Sequence, residues 1–162
     1  MEPRSAYKSV WTALSTTNKQ AITYVIGDVD AAAIYEAAQQ TKHWLNVSVG
    51  IRPNDVVLEI GCGIGRVGQV LAPLCKQWIG CDVSPNMLKH AQERLAAFDN
   101  VRFVEISGYD LRPIEDASID LVYCTVVFMH LDEWERYNYI LEAWRVLRPG
   151  ARIFIDNFNL CS

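Results

Sequence analysis

The chain has 162 residues, of which 51% are hydrophobic and 21% are charged, and its formal net charge at pH 7 is −4. This length suits one hydrophobic core, and the composition is that of a globular protein rather than a disordered, collagen-like or membrane-spanning one. Because the charge is negative and Lys and Arg do not cluster, the sequence predicts a small-molecule partner and no nucleic-acid or membrane partner.

The first 50 residues are predicted to form helices. They lack the basic start and apolar core of a secretory signal, and no run in the chain approaches the roughly 20 apolar residues of a membrane span, so we expect a cytoplasmic protein. Asp28 is a plausible N-cap for a helix with one buried stripe. That stripe consists of Ile34, Ala37, Ala38, Thr41, Trp44 and Leu45. We expect the segment to pack on a sheet and cover its mouth, where Tyr7 and Tyr24 would either reach over a cleft or lie in the core.

Five short apolar runs follow this segment. Each has five to seven residues and is nearly continuously apolar, which is typical of strands buried on both faces of a parallel sheet. The runs are Val56–Ile60, Trp78–Asp82, Val101–Glu105, Leu121–Val127 and Arg152–Asp156.

Helical patterns lie between these runs. Ser84 and Pro85 supply an N-cap and a proline at the first helical position. The apolar face of that helix is made by Leu88, Ala91, Leu95 and Phe98. Asp132 and Glu135 resemble a capping box, and Arg148–Gly150 would end the helix that it begins. The apolar stripe predicted for this second helix is Trp134, Tyr137, Leu141, Trp144 and Leu147.

Strands that alternate with helices imply right-handed β-α-β crossovers. The predicted fold class is therefore α/β, with a doubly wound, mostly parallel sheet flanked by helices. In such folds ligands bind at the C-terminal ends of the strands.

The glycines that follow the first run can be counted in two frames. From Gly63 they read G-x-G-x-x-G, the dinucleotide fingerprint, and from Glu59 they read E-x-G-x-G-x-G. The strand ends against Gly61, and counting from there places Arg66 where the fingerprint needs its third glycine. A pyrophosphate also gains nothing from the negative charge of Glu59, whereas an ammonium or sulfonium would. The second frame is therefore preferred, and Gly68 is predicted to serve close packing of the next helix.

Three motifs in this order resemble those of class I S-adenosylmethionine-dependent methyltransferases. They are the run from Val56 to Gly65, Ile-Gly-Cys-Asp-Val-Ser-Pro at 79–85, and Leu-Arg-Pro-Gly at 147–150. The resemblance covers roughly residues 50–157 and implies a Rossmann-like fold that binds S-adenosylmethionine and releases S-adenosylhomocysteine. Residues 51–162 would form the cofactor-binding core, with the helical segment over 1–50 packed on it. The resemblance implies methyl transfer, and the lack of a basic patch favours a small-molecule acceptor.

The resemblance also implies a set of cofactor-binding residues. Gly61, Gly63 and Gly65 would let the backbone approach the methionine part of the cofactor, and Glu59 would favour its cationic end. Asp82 would accept hydrogen bonds from the ribose hydroxyls, although a turn or capping aspartate is the alternative. The whole set is Glu59, Gly61, Cys62, Gly63, Gly65, Asp82, Val83, Met87, Gly108, Tyr109, Asp110, Cys124 and Thr125.

The adenine end of this set departs from the family pattern. The family commonly has Gly-Asp-Ala after the third strand, whereas this chain has Gly108 at the usual position of the aspartate, with Tyr109 and Asp110 beside it. Val83 and Met87 would line the adenine, or Met87 would be a core residue. The main chain of Cys124 and Thr125 would hold the methionine amine.

Methyl transfer from a sulfonium needs proximity and orientation, and it needs no metal. A general base helps when the acceptor is a hydroxyl or a protonated amine. His130 follows the fourth strand and is the catalytic candidate, with local packing or capping as the alternative. The five cysteines are odd in number and never form C-x-x-C, which predicts buried thiols rather than disulfides or a zinc site.

The chain is predicted to be truncated after the fifth strand, because the family continues with a helix and an antiparallel strand pair. A fragment, a natural short form and completion by a partner chain are the three explanations. The fifth strand would then be an exposed sheet edge, open to self-association or to a partner. A non-catalytic cofactor-binding module and an NAD-dependent oxidoreductase are the alternative functions.

Overall fold

The computed structural model describes residues 6–27 and 30–156. Its N-terminal part contains three helices, α1 (Ala6–Leu14), α2 (Asn18–Ile26) and α3 (Ala31–Ser48). Thr17 and Gln20 form a capping box that begins α2. The predicted cap of α3, Asp28, lies outside the described residues, and the side chain of Asp30 accepts the hydrogen bond from the backbone N–H of Ala33.

The buried stripe of α3 is narrower than the predicted one. Ile34, Ala38 and Leu45 are buried, whereas the side chain of Trp44 is 53% exposed. One residue corresponds to about 100° around a helix, so Trp44 cannot share a face with its neighbour Leu45. The indole instead makes an edge contact with the ring of His43, with 5.4 Å between the ring centroids.

Five parallel strands form one sheet in the order β3-β2-β1-β4-β5. The strands are β1 (Val56–Ile60), β2 (Gln77–Asp82), β3 (Val101–Glu105), β4 (Ile119–Cys124) and β5 (Leu147–Ile155). The order reverses between β1 and β4, and a crevice opens at such a reversal beyond the C-terminal ends of the strands. The predicted fold class is confirmed.

Two strand predictions were wrong at their ends. The fourth strand ends at Cys124 rather than Val127, because the chain turns away at Val126, whose φ is +62°. The fifth begins at Leu147 rather than Arg152, directly after the last helix, so Arg148–Gly150 belongs to a strand. The pairing of β4 with β5 has a register shift between Ile119 and Leu121.

Three further helices connect the strands. They are α4 (Gly68–Leu71), which continues into a short 3-10 helix at Ala72–Leu74, α5 (Pro85–Arg94) and α6 (Glu133–Val146). Ser84 caps α5 as predicted, and Asp132 and Glu135 form the predicted capping box of α6. No helix in the described ranges is long and apolar enough to cross a membrane.

The predicted apolar stripe of α6 was wrong, because it faces solvent. Trp134 and Trp144 are 75% and 79% exposed, and Tyr137 and Leu141 are also exposed. The buried face instead carries Glu135, Tyr139, Ala143 and Val146. Apolar spacing alone identified one face of the helix, whereas the packed face is the one that presents a small alanine and the capping glutamate.

The core lies on both faces of the sheet. One cluster joins β1, β2 and β4 to α6 and includes Leu58, Val122 and Tyr139. The other joins the opposite face to α3, α4 and α5 and includes Trp78 and Tyr123. Glu59 alternates with Leu58 along β1, so its side chain is directed to the face that carries Trp78 and Tyr123.

Helices α1 and α2 lie over the C-terminal end of the sheet. The start of α5 holds the end of α1, because Asn86 Nδ2 donates to the carbonyl of Thr12 at 2.9 Å and a ring nitrogen of His90 lies 3.0 Å from the carbonyl oxygen of Ser15. The hydroxyls of Ser15 and Ser84 are 3.0 Å apart. Lys8 also forms an ion pair with Glu105 at the end of β3. We call α1 and α2 together the roof. These contacts attach its first helix, α1, to the β2–β3 half of the sheet.

Candidate functional site

A cleft lies at the reversal of strand order, beneath α1 and α2. Together with the solvent at its mouth it encloses about 950 Å³. Its floor is formed by residues at the ends of β1, β2 and β4, including Glu59, Gly61, Asp82 and Thr125. Side chains of α1, including Trp11, and side chains of α2 line it from above.

The glycine loop after β1 forms the centre of the floor. The N–H groups of Gly61 and Cys62 both donate to the carbonyl of Cys81 at 2.8 Å. Gly61 and Gly63 have φ values of +75° and +51°, which glycine adopts without steric cost. A Cβ on Gly61 would lie 2.3 Å from a methyl of Val127, whereas a Cβ on Gly63 would meet only Val25 of α2, at 3.6 Å. The loop is thus closed beneath Gly61 and open to the cleft at Gly63.

Gly65 and Gly68 do not face the cleft. A Cβ on Gly65 would lie 2.8 Å from Leu95 of α5, and a Cβ on Gly68 would lie 2.6 Å from the indole of Trp78. The close-packing role predicted for Gly68 is confirmed. Gly65 packs closely on α5 too, and its predicted approach to a ligand stays a prediction.

Glu59 is buried at the bottom of the cleft, with 3% of its surface exposed. Tyr123 donates from Oη to Oε2 of Glu59 at 2.5 Å, and Trp78 donates from Nε1 to Oη of Tyr123 at 3.0 Å. Burial raises the pKa of Glu59 to about 8, and the nearby charge of Asp82 raises it further, while the bond from Tyr123 and the charge of Arg66 act in the opposite direction.

Asp82 ends β2 beside the loop and is 7% exposed. Its Oδ2 accepts from the N–H of Gly63 at 2.8 Å, and its Oδ1 accepts from the N–H of Ser84 at 2.9 Å. Burial raises the pKa of Asp82 to about 6, although the backbone hydrogen bonds lower it. Asp82 therefore serves as the turn aspartate of the alternative interpretation and also lines the cleft.

The cleft contains more acidic than basic groups. Among its described lining residues, Arg66 is the only Lys or Arg, and its Nη1 lies 3.3 Å from Oγ1 of Thr41. Two buried carboxyls thus share a cavity with one guanidinium that is partly held elsewhere. Two carboxyls in such surroundings suit a ligand that carries positive charge.

Most of the other predicted residues line the same cleft. Val83, Met87 and Gly108 lie on the β2–β3 side, where a Cβ on Gly108 would be 3.3 Å from Val83. Thr125 lies at the end of β4, and Cys62 lies in the loop.

His130 is exposed at the lip of the cleft, in a short 3-10 helix at Phe128–His130. Its ring makes an edge contact with the ring of Trp11, with 5.4 Å between centroids. His130 therefore lies between solvent and the cleft and packs on Trp11. Its predicted role as a base stays a prediction.

Besides Gly65, three predicted residues do not line the cleft: Tyr109, Asp110 and Cys124. The N–H groups of Tyr109 and Asp110 point to Oγ of Ser107 at 3.1 Å, and Asp110 forms an ion pair with Arg112. Cys124 is fully buried, and its carbonyl accepts from the N–H of Asp156 at 3.1 Å. Turn formation and strand pairing thus engage these groups.

Sequence reasoning missed several lining residues. Trp11 lies four positions after Tyr7 in α1, so an i, i+4 aromatic pair was a signal that could have located it. Tyr7 and Tyr24 line the cleft, and Tyr7 also packs against the core cluster that contains Tyr139, so both predicted placements apply to Tyr7. Val126, with its positive φ, donates its N–H to Oδ1 of Asp156 at 2.7 Å, and this conformation could not be read from a β-branched residue.

Comparison with known proteins decides between the two glycine frames. Residues 58–155, more than half of the chain, match the family model described as a methyltransferase domain. The chain belongs to the class I S-adenosylmethionine-dependent methyltransferases. The cofactor prediction is confirmed with it, and the open loop at Gly63 and the acidic cleft fit that cofactor.

Several methyltransferases resemble this chain. A demethylmenaquinone methyltransferase of Tropheryma whipplei is 28% identical over 123 residues, which cover 74% of this chain and 50% of that protein. A human thiol S-methyltransferase is 35% identical over 104 residues, which cover 60% of this chain and 40% of that protein. The chain spans about half the length, or less, of these relatives.

A solved structure has the same fold over nearly the whole chain. It is a phosphoethanolamine N-methyltransferase of Haemonchus contortus in complex with phosphoethanolamine and S-adenosylhomocysteine. The two chains are 25% identical with a TM-score of 0.76, and the match covers 94% of this methyltransferase chain and 31% of the other protein.

Proposed function

We propose that this chain binds S-adenosylmethionine in the cleft beneath α1 and α2 and transfers its methyl group to a small-molecule acceptor. The observation that carries the proposal is the pair of buried carboxyls, Glu59 and Asp82, beside a glycine loop that is open to the cleft. The family supports it, since the relatives described above are named as methyltransferases.

Each part of the cofactor has a complementary group in the cleft. The loop at Gly61 and Gly63 would receive the methionine part, with Glu59 beneath its positive charges. Asp82 would accept from the ribose hydroxyls with the lone pairs that its two backbone bonds leave free. When bound, the cofactor supplies a methyl group already activated by a sulfonium. The task of the chain is to hold the two reactants in line and to exclude water.

The adenine would lie on the β2–β3 side of the cleft. Val83 and Met87 give this side apolar surface, and Gly108 leaves room beside Val83. The predicted roles of Tyr109, Asp110 and Cys124 stay predictions, because turn formation and strand pairing already engage the N–H groups of the first two and the carbonyl of the third. Gly65 is retained for its packing on α5.

The acceptor side of the cleft is aromatic. Tyr7, Trp11 and Tyr24 come from the roof, and Leu131 adds an aliphatic surface. Such a wall suits a small molecule with an apolar body and no large negative charge. His130 at the lip would take a proton from an acceptor hydroxyl or amine and pass it to solvent.

Calorimetry tests the cofactor assignment. S-adenosylhomocysteine should bind with a micromolar dissociation constant, and NAD should give no heat. Heat with NAD alone would instead support the oxidoreductase alternative, which uses the glycines from Gly63 to Gly68.

Transfer of labelled methyl tests catalysis. The chain is incubated with labelled S-adenosylmethionine and extracted metabolites, and label is expected in a small molecule. Cofactor binding without transfer to any acceptor would support the non-catalytic module.

Two further predictions from the sequence belong here. Strand β5 is at one edge of the described sheet, so we propose this edge as a site of self-association or of a partner, which sedimentation at increasing concentration tests. The cytoplasmic location, without membrane or nucleic-acid partners, stays a prediction.

A further inference from the structure

A buried chain of hydrogen bonds lies beneath the floor of the cleft and crosses three adjacent strands. Trp78 of β2 donates to Tyr123 of β4, and Tyr123 donates to Glu59 of β1, at 3.0 and 2.5 Å. Trp78 and Tyr123 are fully buried. Glu59 is the only one of the three that lines the cleft.

The direction of these bonds is fixed by chemistry. An indole N–H can only donate, so Oη of Tyr123 must accept from Trp78 and direct its single hydrogen elsewhere. That hydrogen goes to Oε2 of Glu59. Within the described residues no protein group donates to the other oxygen, Oε1, which leaves Oε1 as the oxygen available to a ligand.

Two glycines make the space that this arrangement needs. A Cβ on Gly80 would lie 2.3 Å from the Trp78 ring, and a Cβ on Gly68 would lie 2.6 Å from it. The indole thus fills a space between β2 and α4. Any residue larger than glycine at position 80 or 68 would close this space. Phe103 of β3 packs on the indole edge, with 5.8 Å between ring centroids.

The electrostatic surroundings of Glu59 act against its charge when the cleft holds no ligand. The titratable or charged groups around it are Cys62 and Arg66 from the loop after β1, Cys81 and Asp82 from β2, and Tyr123 and Cys124 from β4. Tyr7, Tyr24 and His130 line the same cleft. Burial raises the pKa values of the three thiols, so they stay neutral. With a pKa of about 8, Glu59 holds its proton at pH 7, and because Oε2 accepts from Tyr123, that proton is on Oε1.

We propose that Tyr123, oriented by Trp78, is a positioning residue that fixes the Glu59 carboxyl with Oε1 toward the cleft, so that cofactor binding is coupled to loss of one proton from Oε1. The proton leaves to solvent, and the resulting carboxylate meets the positive charge of the ligand. This inference rests on the proposed cofactor site. It adds a residue that does not touch the ligand and a proton that binding must release.

Proton release is measured directly on the unmodified chain. Calorimetric titration with S-adenosylmethionine at pH 7 in two buffers of different ionisation enthalpy gives the number of protons released per cofactor bound. We expect close to one proton for the natural chain and a value lower by close to one for Glu59→Gln, which cannot ionise. The difference between the two chains removes any proton released by the cofactor itself. Equal values in the two chains would overturn the proton coupling.

The pH profile of affinity separates positioning from structural support. For the natural chain, affinity should rise about tenfold per pH unit from pH 6.5 and level off above about pH 8, as expected for one coupled proton. Tyr123→Phe removes a bond that favours the carboxylate, so its midpoint should move to higher pH, and affinity should recover in alkaline buffer. Glu59→Gln should show a flat profile.

Matched variants keep the test decisive. Tyr35→Phe removes a phenol hydroxyl from the exposed face of α3 and should leave the midpoint unchanged. If Tyr123→Phe does not fold, Trp78→Phe removes the first donor together with part of the buried indole and, in the folded variant, should give a smaller shift in the same direction. An unshifted midpoint in the folded variant would refute the positioning role. Absence of binding by the natural chain at every pH would instead refute the proposed function.

Discussion

Asp82 supports the fold and lines the cleft at the same time, so its substitution has two separable consequences. Asp82→Ala leaves the buried N–H groups of Gly63 and Ser84 without acceptors, which costs about 1–3 kcal/mol of unfolding free energy for each. Cofactor binding should also weaken by about 1–3 kcal/mol through the lost ribose contacts. Denaturant titration and calorimetry measure the two effects. Unchanged affinity in the folded variant would remove Asp82 from the binding site.

Gly63 allows a test of the loop with a closely matched control. Gly63→Ala and Gly50→Ala both place a methyl on a residue of positive φ, +51° and +71°, at a backbone cost of about 1–2 kcal/mol. A Cβ on Gly50 meets nothing within 4 Å, whereas a Cβ on Gly63 lies beside Val25 of the cleft. We expect similar losses of stability, but at least tenfold weaker cofactor binding for Gly63→Ala alone. Equal affinity in both variants would show that the loop is not the cradle.

The burial of Glu59 also predicts how stability depends on pH. The carboxyl loses its proton near pH 4.5 in the unfolded chain and near pH 8 in the folded chain. Between these values the folded state binds more protons at Glu59, so the contribution of this carboxyl to the free energy of unfolding falls as pH rises and becomes constant above about 8. Asp82, with a pKa of about 6, adds a fall of the same sign at lower pH.

Between pH 6.5 and 8.5 the contribution of Glu59 is obtained by comparison with Glu59→Gln, because the buried thiols, whose pKa values are also raised, are present in both chains. Glu59→Gln should have a smaller decrease in unfolding free energy over this range than the natural chain, as measured by denaturant titration at each pH. Parallel curves for the two chains would contradict the assignment.

Among the secondary-structure elements, α6 shows that the spacing of apolar residues can predict a helix correctly and its buried face wrongly. Its solvent face contains two tryptophans, and its sheet face contains Ala143 and Glu135. Trp144→Gln should change the unfolding free energy by less than about 0.5 kcal/mol, because the indole is 79% exposed. Ala143→Leu should cost about 1–3 kcal/mol or more through overpacking against the sheet. Thermal unfolding of the two variants compares adjacent residues, and a larger loss for Trp144→Gln would reverse the assignment of faces.

The strands were predictable for the opposite reason. A strand of a parallel sheet is buried on both faces, so its apolar run needs no choice of face, and β1 to β3 were located to within one residue. The ends of β4 and β5 depend on the positive φ of Val126 and on a register shift. The sequence around Val126 does not indicate a positive φ, because β-branched residues rarely adopt one. The sequence of Arg148–Gly150 does not indicate that the strand begins before it.

The candidate site was predictable where the backbone dictates it. Gly61, Gly63, Glu59 and Asp82 follow from the ends of two strands, and the structure brings them together. Trp11 and Arg66 were not predicted, because Trp11 reaches the cleft through the packing of α1 and Arg66 through the turn of the loop after β1. The bond from Tyr123 to Glu59 joins residues 64 positions apart and depends on the strand register.

At the scale of the whole molecule, the roof can be loosened without touching the cleft. Asn86→Ala removes the bond to the carbonyl of Thr12. We expect faster cofactor dissociation, with an unfolding free energy lowered by no more than about 1.5 kcal/mol, the scale of one hydrogen bond. Stopped-flow displacement measures the rate, and Lys89→Ala, at an exposed position of the same helix, is the control. The same dissociation rate in both variants would show that this bond does not hold the roof.

The depth of the cofactor floor beneath the roof sets the order in which ligands bind and leave. Thr12, Ser15 and Lys8 attach α1 to the β2–β3 half, and on the β4 side Trp11 contacts the ring of His130. Glu59 and Asp82 on the floor are buried, whereas His130 at the lip is exposed, so we expect the acceptor to enter at this lip. At the proposed site, S-adenosylmethionine would therefore enter before the acceptor, and S-adenosylhomocysteine would leave after the methylated product. Initial-rate kinetics should accordingly follow an ordered sequence, with S-adenosylhomocysteine competitive against S-adenosylmethionine and released last.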